Sequence, residues 1–278
     1  MAFASIETLL QAAQSHPLWE AILRSDLEDR GVEREDSIAK MTRRWEAMVA
    51  AVEGYDPAER SASGLVGGDG GKMAATAPHF VGDYGQQVIA CALKTGECNA
   101  CMKRIVAAPT AGASGVLPAV LIPLRARHSD EEIVQALYVA AGFGQVIATR
   151  ASISGAEGGC QAEIGSASGM AAAALTALRG GTPQQCASAC AMALQNLLGL
   201  VCDPVGGLVE VPCVKRNVIG AMNAISAAEM ALAGIATVIP CDEVIDSMRA
   251  VGDALPSSLR ETGEGGLAAT PTARRLKL

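Results

Sequence analysis

Three of the nine cysteines in this 278-residue chain stand where regular structure is broken. They are Cys160 in Gly158-Gly159-Cys160-Gln161-Ala162-Glu163, Cys202 in Val201-Cys202-Asp203-Pro204, and Cys213 in Val211-Pro212-Cys213-Val214-Lys215. Glycine and proline punctuate regular structure, so each thiol can point from a loop into a shared cavity instead of lying in a helix stripe. Thiolates are soft ligands, and three of them can hold an iron-sulfur cube by three corners. The fourth iron is then open, and an open corner can act as a Lewis acid on a substrate where a fully ligated cluster carries electrons. The competing reading is packing alone, because free cysteine is among the most buried residue types.

The other cysteines carry weaker signals. Cys98-Asn99-Ala100-Cys101 is a C-x-x-C, but no second C-x-x-C and no nearby histidine completes a zinc site. Cys186 and Cys190 share a helix face, and these two, with Cys91 and Cys241, are expected in the core. Of the three histidines, His16 and His128 read as surface residues, while His79 follows a Gly-rich loop closely enough to approach a site as a general base.

Two loops are suited to holding a small anionic substrate. In Ser63-Gly64-Leu65-Val66-Gly67-Gly68-Asp69-Gly70-Gly71-Lys72, glycines permit positive φ, so consecutive backbone N–H groups can form a concave anion site. Ser63 and Lys72 add donors, Asp69 can accept from an ammonium, and a desolvated Lys72 is an in-chain candidate for a catalytic base. The nucleotide-binding pattern G-x-x-x-x-G-K-[ST] fails here, because Val66 and Met73 stand where glycine and a hydroxyl are needed. In the second loop, Pro109 to Gly115, Thr110, Gly112 and Ser114 offer hydroxyls and backbone donors at the entrance to a helix. For both loops, a turn whose glycines merely ease packing is the alternative.

The elements that must position these groups read as helices. Residues 5–54 are amphipathic, and alanine-containing segments follow near Gln86–Lys94, Asp130–Thr149, Gly169–Leu178, Gln184–Leu200 and Val218–Val238. Alanine favours helix and lets axes approach closely, while three Phe, three Tyr and two Trp leave little bulk to fill a sandwich. The expected fold is mainly α: one tightly packed Ala-rich helical domain over 1–278, with peripheral helices in 1–56 and a cluster- and substrate-binding core in 57–278. Residues 57–78 are expected to be irregular, and the tail after Pro256 to pack as a loop.

Composition narrows the function classes. A net charge of −7 with eight aromatics and no basic run beyond the last few residues offers no stripe for nucleic acid. Ile105 to Leu124 is uncharged, yet three prolines and two glycines interrupt it, so a buried loop feeding a buried helix is expected there and no membrane span. The first residues lack a basic region followed by an apolar one, and the odd cysteine count speaks against a disulfide framework. Cytoplasmic localisation follows as an expectation.

At this point the residues carry a family resemblance. Ser63-Gly64-Leu65-Val66-Gly67-Gly68-Asp69 with Lys72-Met73, Ala108-Pro109-Thr110-Ala111-Gly112, and the cysteine loops spaced by 42 and 11 residues closely resemble the α chain of the bacterial iron-sulfur-dependent L-serine dehydratases. Leu255-Pro256, Leu259-Arg260-Glu261-Thr262 and Gly265-Gly266-Leu267-Ala268 look like that family's closing segment. The resemblance implies an L-serine ammonia-lyase that converts L-serine to pyruvate and ammonia on a [4Fe-4S] cluster, with Cys160, Cys202 and Cys213 as ligands. It implies a place in amino-acid catabolism and gluconeogenesis. Ser63, Gly64, Gly68, Asp69, Lys72, Thr110 and Gly112 are then expected to bind substrate, with Lys72 and His79 as catalytic candidates. The family's Ser-Ser-His-Thr segment belongs to a β chain or domain and is not found here, so a separate β subunit in a hetero-oligomer is expected to complete the site. Two other readings remain at this stage: a non-catalytic helical subunit that binds metal, and a pyridoxal-phosphate lyase using Lys72.

Overall fold

The computed structural model describes residues 3–276. Twelve α-helices run through them in chain order: α1 Ile6–Ala12, α2 Leu18–Arg30, α3 Arg34–Glu53, α4 Asp69–Ala75, α5 Gly82–Ala100, α6 Val116–Leu121, α7 Asp130–Arg150, α8 Gly155–Gly158, α9 Ser166–Leu178, α10 Pro183–Gln195, α11 Cys213–Leu232 and α12 Cys241–Ala254. Among the described residues no strand forms, and the one β-bridge pairs Cys202 with Arg260 in parallel. The fold is mainly α, as the composition predicts.

Local sequence explains where the long helices start and stop. Ser129 caps α7 by accepting from the Glu132 N–H at 3.2 Å, while Glu132 accepts from the Ser129 N–H at 2.8 Å. Thr182 and Gln185 make the same reciprocal pair at the start of α10. Gly31, at φ 60°, ends α2, and Gly234, at φ 86°, follows the last turn of α11; both conformations favour glycine.

Helix α9 is the axis of the molecule. It packs against α7, α10 and α11, and Ala171, Ala172, Ala173 and Ala174 have no exposed surface. A side chain at Gly169 would meet the Cys190 sulfur at 3.0 Å, so the α9 and α10 backbones come close because both faces are small. Polar side chains that cross this core are hydrogen-bonded at its centre: Ser168 donates to the Gly220 carbonyl at 2.8 Å, and Asn223 donates to Ser168 and to the Ala193 carbonyl. The N-terminal helices α2 and α3 lie on α7, and their Leu23 and Trp45 join the same hydrophobic cluster as α9 and α12.

Several boundaries differ from the sequence expectation. The stretch expected to be irregular holds the short helix α4, started by Gly68 in the left-handed region. Helix α10 stops at Gln195 before a turn through Gly199 at φ 84°. Helix α11 spans Cys213–Leu232 where sequence suggested Val218–Val238, because Pro212 precedes its first turn and Gly234 ends it. Cys213 therefore opens a helix and does not lie in a loop. Three short 3-10 turns occupy the tail after Pro256, and its last two residues lie outside the described range.

Ile105 to Leu124 is a loop leading into α6, all six residues of which are buried. One helix, α7, is long and apolar enough to cross a membrane by length and composition, but 67% of that window is buried inside the fold.

Candidate functional site

The three cysteines reach one region from three directions. Cys160 follows Gly159, whose φ of 74° is a glycine conformation and whose absent side chain leaves room for Leu255 and the Leu200 carbonyl. The chain then enters a π-helical turn, Gln161–Gly165, that runs directly into α9. Gln161 anchors this turn by donating to the Met248 carbonyl at 2.9 Å and accepting from the Gly199 N–H at 2.9 Å. π-turns are rare and concentrate at functional sites; here the turn carries Glu163 towards the thiols.

Cys202 is held by the C-terminal segment. Its N–H donates to the Leu259 carbonyl at 2.9 Å and its carbonyl accepts from the Glu261 N–H at 2.8 Å. Next to it, buried Asp203 accepts from the Leu267 N–H at 2.7 Å. Cys213 is the first residue of the 20-residue α11, where free N–H groups and the helix dipole favour a thiolate.

All three thiols are free, Cys160 and Cys202 are each 3% exposed, and Cys213 is half-buried. Burial pushes Cys160 up to about 12 and Cys213 up to about 11, and raises Cys202 as well. Cys160 lies near enough to feel the charge of Cys213, and Cys202 that of both Cys160 and Cys213. Among the described residues, no three His, Cys, Asp or Glu side chains converge as ligands of a single metal ion.

One segment, Glu210 to Asn217, ties every other loop to these thiols. Glu210, 6% exposed, accepts from Ser61 at 2.9 Å and from Ser63, which fixes the Gly-rich loop three residues before Cys213. Lys215 approaches Asp69 at 3.9 Å. Arg216 pairs with Asp203 at 2.8 Å, donates to the Val201 carbonyl at 2.8 Å, and lies against the Cys160 sulfur. Asn217, buried, accepts from the Gly115 N–H at 2.9 Å and donates to the Gly112 and Cys213 carbonyls at 2.8 and 3.0 Å.

Thr110 and Gly112 stand beside the thiols through Glu163. The Thr110 hydroxyl donates to Glu163 Oε1 at 2.7 Å, and Glu163 Oε2 lies 4.0 Å from the Cys202 sulfur. A side chain at Gly112 would meet Glu163 Oε1 at 3.3 Å, and one at Gly155 would meet Oε2 at 2.7 Å, so both glycines make room for this carboxylate. Burial raises the Glu163 carboxyl; the Thr110 bond opposes the rise and the nearby Glu261 charge adds to it.

The Ser63 to Lys72 loop is arranged differently from its sequence reading. The N–H groups of Asp69 and Gly70 donate to the buried Glu97 carboxylate at 2.9 and 3.1 Å, and Tyr55 donates to the same group. The concave row of donors expected from the glycines thus encloses an anion from the chain's own α5. Gly64 is exposed at φ 75°, and Gly68 packs against the Arg60 guanidinium. Lys72 is 76% exposed and pairs with Asp69 at 2.9 Å, which holds the Asp69 carboxyl below its usual range. His79 is exposed with its ring tilted against Phe80, which is fully exposed. Neither Lys72 nor His79 contacts a thiol. Cys98 donates to the Ala51 carbonyl at 3.3 Å, and Cys101 follows the last turn of α5.

Sequence reasoning passed over Glu163, Glu210, Arg216, Asn217 and Glu97. Glu163 lies within the Cys160 motif and was open to notice as a carboxylate three residues from a thiol. The other four act across the fold, as with Glu210 and Ser61, 149 residues apart.

Comparison with known proteins gives the arrangement a family. A family model described as serine dehydratase alpha chain matches residues 11–268. The chain is 46% identical over 282 aligned positions, 99% of its length and 94% of the relative's, to a "Probable L-serine dehydratase, alpha chain" of Bacillus subtilis. It is 58% identical over 189 positions to a similarly named alpha chain of Latilactobacillus sakei, covering 67% of this chain and 90% of that one. Against the "L-serine dehydratase" of Mycobacterium bovis it is 46% identical over 198 positions, which is 69% of this chain and 42% of the relative. With a match across most of its length and such identities, the chain belongs to the serine dehydratase alpha chain family.

Proposed function

We propose that this chain is the α subunit of a two-chain L-serine dehydratase that eliminates water from L-serine to give pyruvate and ammonia, and that Cys160, Cys202 and Cys213 hold its [4Fe-4S] cluster. The observation that carries the proposal is the meeting of three free thiols, two buried and one half-buried, from three separate segments in a chain of this family. The donor set fits the group. Thiolates are soft ligands suited to iron-sulfur clusters, and three of them from three segments can take three corners of a cube. When bound, the cluster supplies a Lewis-acidic iron that takes up the negative charge of the departing hydroxide.

The chain's own residues supply position and charge. Arg216 beside Cys160 and the N-terminus of α11 beneath Cys213 favour sulfur in its charged form, offsetting part of the burial that keeps each free thiol protonated. Asn217 and Glu210 fix the Thr110 and Ser63 loops against the start of α11, so substrate groups meet donors already in place. In this reading Thr110 and Gly112 contact substrate directly. Ser63, Gly64, Gly68, Asp69 and Lys72 form the rim, on which the exposed Lys72 and His79 are available to a partner chain.

The two-chain reading is supported by the names and lengths of the relatives. This chain spans nearly all of the Bacillus subtilis alpha chain but 42% of the Mycobacterium bovis L-serine dehydratase, so the remainder of the latter corresponds to a second part. We propose that a β subunit supplies that part and with it the α-proton base. Residues 1–56 then form a peripheral layer on a core of 57–278 in one domain, and the enzyme works in the cytoplasm. The reading in which Lys72 carries pyridoxal phosphate gains nothing from a lysine 76% exposed, and the reading in which the metal is structural gains nothing from Thr110 and Glu163 standing beside the thiols.

An anaerobic pyruvate assay tests the proposal. The reconstituted chain is given L-serine with and without the β partner. Turnover that requires both chains and iron is the expected result. Turnover by an iron-free protein, or none by the loaded pair, contradicts it.

A further inference from the structure

Glu163 is a largely buried carboxylate that pairs with no cation among the described residues. Arg216, a cation that also adjoins the thiols, is committed to Asp203, the Val201 carbonyl and the Cys160 sulfur. Of Glu163's two oxygens, Oε1 accepts from Thr110 at 2.7 Å, while Oε2 has only the Cys202 thiol at 4.0 Å. A carboxylate taken out of water without a counter-charge is costly, and a bound cation would remove that cost.

Glu163 is not fully buried, and two glycines face its oxygens. Gly112 and Gly155 stand where any side chain would press on Oε1 or Oε2, and the cis Ala108-Pro109 bond leads into the turn that brings Thr110 to the same carboxylate. Glu261, held by its N–H to the Cys202 carbonyl, adds a second negative charge on the same side. The local field therefore attracts a positive group to a point beside the thiols.

We propose that Glu163 is the specificity-determining residue that binds the α-ammonium of the amino-acid substrate, with Thr110 fixing its orientation. The inference rests on the reading of the site as an L-serine dehydratase centre. It assigns to Glu163 the recognition of an amino acid over a hydroxy acid of the same shape, because a ligand with a hydroxyl in place of the ammonium would leave the carboxylate without its counter-charge.

The test uses the anaerobically reconstituted two-chain enzyme, with L-serine as substrate and L-glycerate as a competing ligand. Wild-type iron content and L-serine turnover are read first; protein that holds iron but does not turn over L-serine, or holds none, overturns the parent reading and this inference with it. In Glu163→Gln, KM for L-serine should rise about 30-fold or more, with kcat and iron content changed little and L-glycerate inhibition held or tightened. A fall in kcat at unchanged KM would instead make Glu163 a proton-transfer group and overturn the proposal. Equal weakening of L-serine and L-glycerate, or loss of iron, would make it structural and overturn it too. Should Glu163→Gln not accumulate as folded protein, Glu163→Asp keeps the charge on a shorter arm: the expected result is a raised KM for L-serine with L-glycerate inhibition unchanged, and an unchanged KM contradicts the role.

Discussion

Asn217 and Glu210 stand within two turns of Cys213, and each spends its side chain on a different loop. Asn217 makes three hydrogen bonds from a buried position, two of them to the Thr110 loop. Asn217→Ala strands the Gly115 N–H and two carbonyls, and should cost about 2–3 kcal/mol, measured as a fall in the urea midpoint at constant slope. Glu210→Gln keeps the shape and removes the charge that two serines share; raised KM for L-serine with the fold intact is the expected outcome in steady-state assays. At this scale the three cysteines stand out in sequence because a glycine or proline lies beside or near each of them, a local signal. Glu163 does not, since its role depends on Thr110, 53 residues away. The glycines of the Ser63 loop read as a donor-rich concavity for a substrate anion, whereas in the fold the Asp69 and Gly70 donors meet Glu97, which belongs to a different helix and is brought to them only by tertiary packing.

Helices carry these residues, and their sequence signals were clear wherever caps are local. The Ser129–Glu132 pair marks the start of α7, and Ser129→Ala should cost about 1 kcal/mol, seen as a lower thermal midpoint without loss of cooperativity. Helix α9 makes the larger demand. Its Ala173 has no exposed surface among three packed helices, and Ala173→Leu should cost about 1–3 kcal/mol or more; a neutral result in chemical denaturation would contradict the tight packing described. The alanine content predicted such packing. The start of α11 was missed for a physical reason: proline stops a helix that precedes it and also suits the entry to one that follows, so Val211-Pro212-Cys213 reads equally as a loop. The π-turn after Cys160 has no sequence pattern of its own, and its register is set by Gln161 bonding to α12 and to the turn after α10.

Across the whole molecule, burial of thiols sets a pH dependence. Cys91 and Cys98 are pushed up to about 11 and Cys186 to about 12, from an ordinary value of 9.0, each chiefly by burial. The folded state therefore holds these protons more tightly than the unfolded chain. Their contribution is fully present below the unfolded value and is lost as pH rises through the folded ones. The urea midpoint of the metal-free chain should stay level up to about pH 8.5 and fall between about pH 9 and 11; a rising midpoint there contradicts the burial of these groups. At this scale the helical class was legible from composition, while the joining of the C-terminal segment to the Cys202 loop was not, since it depends on backbone bonds such as Glu261 N–H to the Cys202 carbonyl.

The central claim is that Cys160, Cys202 and Cys213 together hold one cluster, and iron with acid-labile sulfide, counted per chain in oxygen-free protein, tests it most directly. The account predicts about four of each in the wild-type chain and a marked loss in Cys160→Ser, Cys202→Ser and Cys213→Ser alike, with Cys98→Ser unchanged. Iron-poor wild-type protein, or a full complement in any of the three variants, would contradict it.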